Sequence, residues 1–214
     1  MTEIKKLTLD KNTLSSIFEW IDPTKDWIDK KFASCQSLFP IINIMGYETV
    51  VELGTHWGSA TASLVDNCPS IEKIYTIDSY LPYTDSVPPY VEVNEYDCEF
   101  LKNVAKRNFS YLPEHLQEKI NVIYGDTMES SSNFDDDSID FIWFDAHLTQ
   151  EQLNKELELW YPKLKCGGLS GVHDCGNNGS GMNKVVYNFL KDKPIEGNIS
   201  YFNDTLSWIK DEEV

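Results

Sequence analysis

No two cysteines in this 214-residue chain form a C-x-x-C pair, and the five present (Cys35, Cys68, Cys98, Cys166 and Cys175) are odd in number and scattered. That pattern excludes a disulfide scaffold and a zinc site of the usual spacing, and it predicts a reducing compartment. Long apolar runs are missing too. The longest, Phe39 to Met45, contains Pro40 and Asn43, far short of the ~20 residues a membrane helix needs. Residues 1–8 hold no apolar stretch of the kind a secretion signal requires, so the expected location is the cytoplasm, with no membrane partner. Positive charge is scarce: 18 Lys and Arg stand against 35 Asp and Glu, for a formal net charge of −17. Nucleic acids are therefore excluded as partners, because phosphate backbones are held by clustered basic side chains.

What is present is a sizeable core, with 41% hydrophobic and 13% aromatic residues, enough for a single domain. From about residue 48 short apolar β-rich runs alternate with longer amphipathic stretches. That is the signature of an α/β fold with a mostly parallel sheet covered by helices on both faces. The strands are expected at Glu48–Gly54, Lys73–Asp78, Ile120–Asp126, Ile139–Asp145 and Gly168–Asp174. Helices are expected at Ser59–Asn67, Tyr96–Asn108, Thr149–Leu159 and Met182–Leu190. Ile199–Phe202 and Leu206–Ile209 flank the turn-prone Asn203-Asp204-Thr205, which adds an antiparallel C-terminal hairpin and brings the total to seven strands. Residues 1–45 form a separate N-terminal helical segment carrying Trp20, Trp27 and Phe32, a candidate substrate cover or homodimer contact. The Tyr- and Pro-rich loop 80–94 is too long for a plain connector and is a second candidate cover.

The strongest local signal is Val50-Val51-Glu52-Leu53-Gly54-Thr55-His56-Trp57-Gly58-Ser59-Ala60-Thr61, a strand that enters a glycine turn and then a helix. The spacing is G-x-x-x-G. A dinucleotide site would show G-x-G-x-x-G, so a pyrophosphate-binding turn and an NAD-type oxidoreductase are disfavoured. Asp78 ends the second strand, where a carboxylate can accept from both hydroxyls of a ribose. Gly125-Asp126-Thr127 ends the third, where an Asp can accept from an exocyclic amine. A bare strand-to-helix turn, a solvated strand end and a helix cap would explain these three features one at a time. Their order on successive strands points to a ligand crevice.

At these residues the chain resembles the class I S-adenosylmethionine-dependent methyltransferases, whose first motif reads acidic-x-Gly-x-x-x-Gly. The resemblance covers about residues 46–212. Ile139 to His147, Leu157 to Gly168 and Gly171-Val172-His173-Asp174 are similar to the small-molecule O-methyltransferases, more narrowly the macrocin-type antibiotic and sugar enzymes. The resemblance implies a Rossmann-like domain over 46–214 that methylates a small-molecule hydroxyl. It implies that Glu52, Gly54, Thr55 and Gly58 surround the methionine part of the donor and that Asp78 and Ser79 take the ribose. Asp126 and Thr127 would lie beside the adenine, with Asp145 also lining the donor site.

In metal-dependent members the aspartates at the fourth and fifth strand tips, here Asp145 and Asp174, bind Mg2+, as two hard carboxylates suit. The chain departs from that pattern in two places. The residue after the second aspartate is Cys175 where relatives have Asn or Asp, with Asn177 or Asn178 as substitutes. The fourth-strand motif reads Asp145-Ala146-His147, with the histidine one place early. His147 and His173, beside Asp145, are the candidate bases for the acceptor hydroxyl. His56 would shape the cofactor pocket, and His115 is a surface residue. A non-catalytic cofactor-binding protein of the same fold would keep Gly54, Gly58 and Asp78 without needing Asp145, His147 and Asp174 to converge.

Overall fold

A computed structural model describes residues 34–81, 98–146, 149–176, 181–202 and 204–211. Its centre is a seven-stranded sheet. The strands are β1 (Thr49–Leu53), β2 (Lys73–Asp78), β3 (Ile120–Tyr124), β4 (Ile139–Phe144), β5 (Leu164–Val172), β6 (Ile195–Phe202) and β7 (Thr205–Lys210). They lie in the order β3-β2-β1-β4-β5-β7-β6. β1 to β5 are parallel, with Val51 opposite Tyr75 on one side and Ile142 on the other. β7 runs antiparallel to both β5 and β6, so the C-terminal hairpin joins the sheet through its second strand and leaves β6 at the edge.

The helices are α1 (Phe39–Met45), α2 (Ser59–Asn67), α3 (Cys98–Ser110), α4 (Glu114–Gln117), α5 (Thr127–Ser130), α6 (Gln150–Trp160) and α7 (Met182–Leu190). Strand alternation sorts the core into two layers. Val50, Ile74, Phe141 and Trp143 face Leu38, Phe39, Ile42, Leu64 and Phe109 on one side. Val51, Ile77, Ile142 and Phe144 face Leu153, Leu157, Trp160, Val186 and Leu190 on the other. Both strand faces are covered, which is why these runs are apolar throughout rather than alternating.

The start of α6 is fixed by Thr149, whose hydroxyl accepts from the Gln152 N–H at 3.1 Å. Its buried stripe of Leu153, Leu157 and Trp160 keeps helical spacing, and Pro162 follows the last turn. Ser59–Asn67, Lys73–Asp78 and Met182–Leu190 match the sequence expectation residue for residue. Most other boundaries move. β1, β3 and β4 each stop short of the residue expected to end them, so Asp126 and Asp145 sit in loops beyond the strands. β5 begins at Leu164 because Leu164 pairs with Ile139 before a register shift that resumes at Phe141 opposite Leu169. The helix expected at Tyr96–Asn108 runs Cys98–Ser110 within the described residues, and α4 and α5 were not anticipated. Trp20, Trp27, Phe32 and most of the loop 80–94 lie outside the described residues. The described end of the N-terminal segment packs into the first core layer through Cys35, Leu38, Phe39 and Ile42.

Candidate functional site

The strand order reverses between β1 and β4, which opens a crevice at the carboxyl ends of the two strands where open α/β sheets bind ligands. On the β1 side, Gly54 takes φ +96°, and a Cβ there would lie 2.5 Å from the Asp145 carbonyl oxygen. Only glycine lets the two strand ends approach so closely. The Gly54 N–H donates to Ile77 O at 2.8 Å and the Asp145 N–H to Leu53 O at 2.9 Å, so the turn is tied to both neighbours. Gly58, at φ +76°, precedes α2 and lies so close to Phe109 that a Cβ would meet Cε1 at 2.6 Å.

Asp78 organises this turn. Its Oδ2 accepts from the His56 N–H and its Oδ1 from the Tyr80 N–H, both at 2.8 Å. The Tyr80 hydroxyl in turn donates to the His56 carbonyl at 2.9 Å. A carboxylate offers about four acceptor positions, so two backbone donors leave capacity for a ligand. Burial pulls the His56 imidazole below its ordinary value, against the charges of Asp78 and Asp145. Ser79 is exposed and accepts from the Leu81 N–H at 3.3 Å.

Glu52 points into the protein. It is 1% exposed and accepts from the hydroxyls of Thr61 and, at 2.7 Å, Thr76. Burial pushes its carboxyl up to about 8, with those two hydrogen bonds pulling the other way. The buried Thr55 hydroxyl shares a 2.6 Å hydrogen bond with that of Thr76. Glu52 and Thr55 therefore brace the glycine turn from beneath. Asp126 caps α5, with Oδ1 accepting from the N–H groups of Met128 and Glu129 at 2.8 and 3.0 Å. The buried Thr127 hydroxyl donates to Glu156 Oε1 at 2.7 Å.

On the β4 and β5 side, Asp145, His173 and Asp174 converge, with ligand atoms within 4.8 Å of one another. Asp145 Oδ1 pairs with His173 Nδ1 at 2.8 Å, and Oδ2 accepts from Trp143 Nε1 at 3.3 Å. The imidazole stacks on the Trp143 ring with centroids 5.9 Å apart. Burial draws His173 down, but the hydrogen bond and charge of Asp145, with the charges of Asp174 and Asp204, outweigh it and lift the group to about 9. In this pairing His173 is a proton donor at neutral pH. Cys175 is 1% exposed, and burial pushes its thiol up to about 12, so it is no ligand. His147, Asn177 and Asn178 lie outside the described residues, and His115 is exposed.

Sequence reasoning missed Tyr80 as the clasp of the glycine turn and Glu156 as the partner of Thr127. The signal for Glu156 was a charge inside the apolar stripe Leu153, Leu157 and Trp160.

The family model for the methyltransferase domain matches residues 51–175, more than half of the chain. The chain has no match among curated proteins. Among solved structures it is similar to the methyltransferase PaMTH1 of Podospora anserina, in a form with S-adenosylhomocysteine bound: 12% identity, TM-score 0.62, over 98% of this chain and 92% of that one. It is also similar to the calicheamicin methyltransferase CalS11, at 14% identity and TM-score 0.57 over 94% of this chain and 80% of that one. A third is the O-methyltransferase NovP, at 16% identity and TM-score 0.60 over 86% and 80%. At these identities the likeness shows the fold. The matched segment runs from the middle of β1 through the glycine turn and Asp145 to the loop after β5, and it places the chain in the methyltransferase-domain family, whose members take a methyl group from S-adenosylmethionine.

Proposed function

We propose that the protein transfers the methyl group of S-adenosylmethionine to a hydroxyl of a small molecule, a sugar or secondary metabolite. The observation that carries this reading is the convergence of Asp145, His173 and Asp174 beside the glycine turn, where a non-catalytic binding protein has no need of it. The likeness to NovP, an O-methyltransferase, and to CalS11, a calicheamicin methyltransferase, supports an O-methyl product in a small-molecule setting.

Gly54, Thr55 and Gly58 shape the pocket for the methionine part of the donor, and Glu52 holds that turn rigid from below. Asp78 and Ser79 take the ribose, and Asp126 and Thr127 bound the adenine. Displacement at a sulfonium needs the acceptor oxygen held in line at ~3–3.5 Å from the methyl carbon. Asp145, at the junction of the donor and acceptor sides, sets that line. His147 and His173 are the candidates to take the hydroxyl proton, and His173 in its neutral form accepts it at Nε2 while the Nδ1–H stays hydrogen-bonded to the Asp145 carboxylate.

The donor set also fits a hard divalent cation. Asp145 and Asp174 bring carboxylate oxygens from adjacent strand ends, the ligand type such a cation prefers, and the buried Cys175 thiol is not part of the set. Magnesium bound there would supply Lewis acidity to the acceptor oxygen. Acceptor selection is assigned to the segment 1–45 and the loop 80–94, with a homodimer contact on the same N-terminal segment. Five free thiols agree with a cytoplasmic location. No helix among the described residues is long and apolar enough to cross a membrane.

The test is calorimetric titration with S-adenosylhomocysteine, followed by transfer of labelled methyl from S-adenosylmethionine to a panel of sugar and phenol acceptors with Mg2+ or EDTA. Donor binding with transfer to a hydroxyl acceptor is the expected result. Binding of NAD but not of S-adenosylhomocysteine overturns it.

A further inference from the structure

We infer that Glu156 is a positioning residue that couples the loop after β3 to the loop after β4 and so fixes the spacing between the donor's adenine side and the acceptor side. The inference rests on the proposed function for its catalytic consequence, but its geometry stands independently. Glu156 is 0% exposed and sits in the buried stripe of α6, where an aliphatic side chain would pack without the cost of desolvating a carboxyl. Its Oε1 accepts from two donors, the Thr127 hydroxyl at 2.7 Å and Gln152 Nε2 at 3.0 Å. Gln152 Nε2 also donates to the Ala146 carbonyl at 3.2 Å.

One carboxylate oxygen thus gathers two loops. Thr127 follows Asp126 and Ala146 follows Asp145, so each arm ends one residue from a carboxylate proposed to face the ligands. The grip on Thr127 is double, because Trp160 Nε1, one turn further along α6, donates to its carbonyl at 3.0 Å. Oε2 of Glu156 is buried and has no hydrogen-bond partner among the described residues. Burial pushes the carboxyl up to about 7, with the hydrogen bonds from Thr127 and Gln152 opposing. A group held at that cost, with every contact made through one oxygen, is placed for what that oxygen ties together.

The test compares Glu156→Leu, Glu156→Gln, Thr127→Val and Gln152→Leu with wild type by three readouts: thermal midpoint, amide hydrogen exchange in segments 125–128 and 143–146 of the ligand-free protein, and S-adenosylhomocysteine Kd with kcat. Losing one such hydrogen bond is worth a factor of about 5–10. Thr127→Val is expected to raise Kd by about that factor and speed exchange in 125–128. Gln152→Leu is expected to lower kcat at saturating donor and speed exchange in 143–146.

Glu156→Leu is expected to do both, and Glu156→Gln, which keeps an acceptor at the Oε1 position, to restore both to within about twofold of wild type. Folded Glu156→Leu with wild-type exchange in either segment overturns the inference. If that variant does not fold, Thr127→Val and Gln152→Leu decide, and wild-type exchange in both of them overturns it. Failure of the wild-type protein to bind S-adenosylhomocysteine would sink the functional reading alone, since the exchange measurement needs no ligand.

Discussion

Replacing Glu52 by glutamine tests whether the floor of the donor pocket is built on a buried carboxylic acid. In the folded protein burial holds this carboxyl at about 8, against an ordinary value of 4.5, despite the hydrogen bonds from Thr61 and Thr76. The folded state therefore binds this proton more tightly than the unfolded chain does. Glu52 contributes stability that is complete below pH 4.5 and is lost as pH rises through about 8. At about 1.4 kcal/mol per unit, the loss amounts to roughly 3 kcal/mol by pH 7 and roughly 5 kcal/mol above pH 8.

Glutamine does not titrate, and its carboxamide oxygen can accept from both threonines. Urea unfolding at pH 5, 7 and 9, on variants whose m-values agree, should show wild type losing stability relative to Glu52→Gln by several kcal/mol across that range. Other raised groups, Glu156 and His173, are present in both proteins and cancel in the difference. Thr76→Val removes a bond that favours the ionised form, so it should push the decline to still higher pH. A wild-type curve parallel to that of Glu52→Gln would refute the reasoning, because it would mean that the carboxyl is solvated or paired as an anion in solution.

Gly54→Ala should cost about 2–5 kcal/mol, combining a left-handed backbone with a Cβ forced into the Asp145 carbonyl, whereas Gly46→Ala, at φ +68° with nothing within 4 Å, should cost about 1 kcal/mol. Equal denaturation midpoints for the two variants would remove the case for close approach at the strand ends. Asp78→Ala should weaken S-adenosylhomocysteine binding about 100-fold by calorimetry, since it loses a charged acceptor and frees the His56 and Tyr80 amides; affinity within twofold of wild type would remove Asp78 from the ribose site. For the cation, EDTA should abolish transfer and Asp174→Asn should raise the Mg2+ needed for half-activity at least tenfold, while transfer unaffected by either would assign the cluster to proton handling alone.

The fold was legible where pattern and covalent geometry coincide. Apolar runs such as Ile74 to Ile77 and Phe141 to Phe144 become central parallel strands, and α2, β2 and α7 keep the boundaries read from their end signals. What sequence could not supply was where strands stop. β1, β3 and β4 end before the residues expected at their tips because the chain leaves the sheet there for a turn or a cap. Asp126 caps α5, and Gly54 turns the chain out of β1. A four-residue helix such as α5 has no apolar period of its own. Its start was hidden inside a residue already given another role.

The same competition explains what was legible in the site. The positions of Asp78, Asp126, Asp145 and Asp174 follow from strand order, because parallel strands deliver their C-terminal residues to one edge. Their partners do not follow, since hydrogen bonds between side chains far apart in sequence leave no local period. Asp78 is held by the His56 amide 22 residues back, Thr127 by a carboxylate 29 residues on, and Asp145 by an imidazole 28 residues on. Each group named for a ligand is thus already engaged by the protein. A pocket whose acceptors are tied down before the ligand arrives has little orientational freedom left to lose on binding. The internal bonds of Asp78, Thr127 and Asp145 and their proposed ligand roles are therefore one arrangement, in which the fold fixes the lone pairs that remain for the donor and the acceptor.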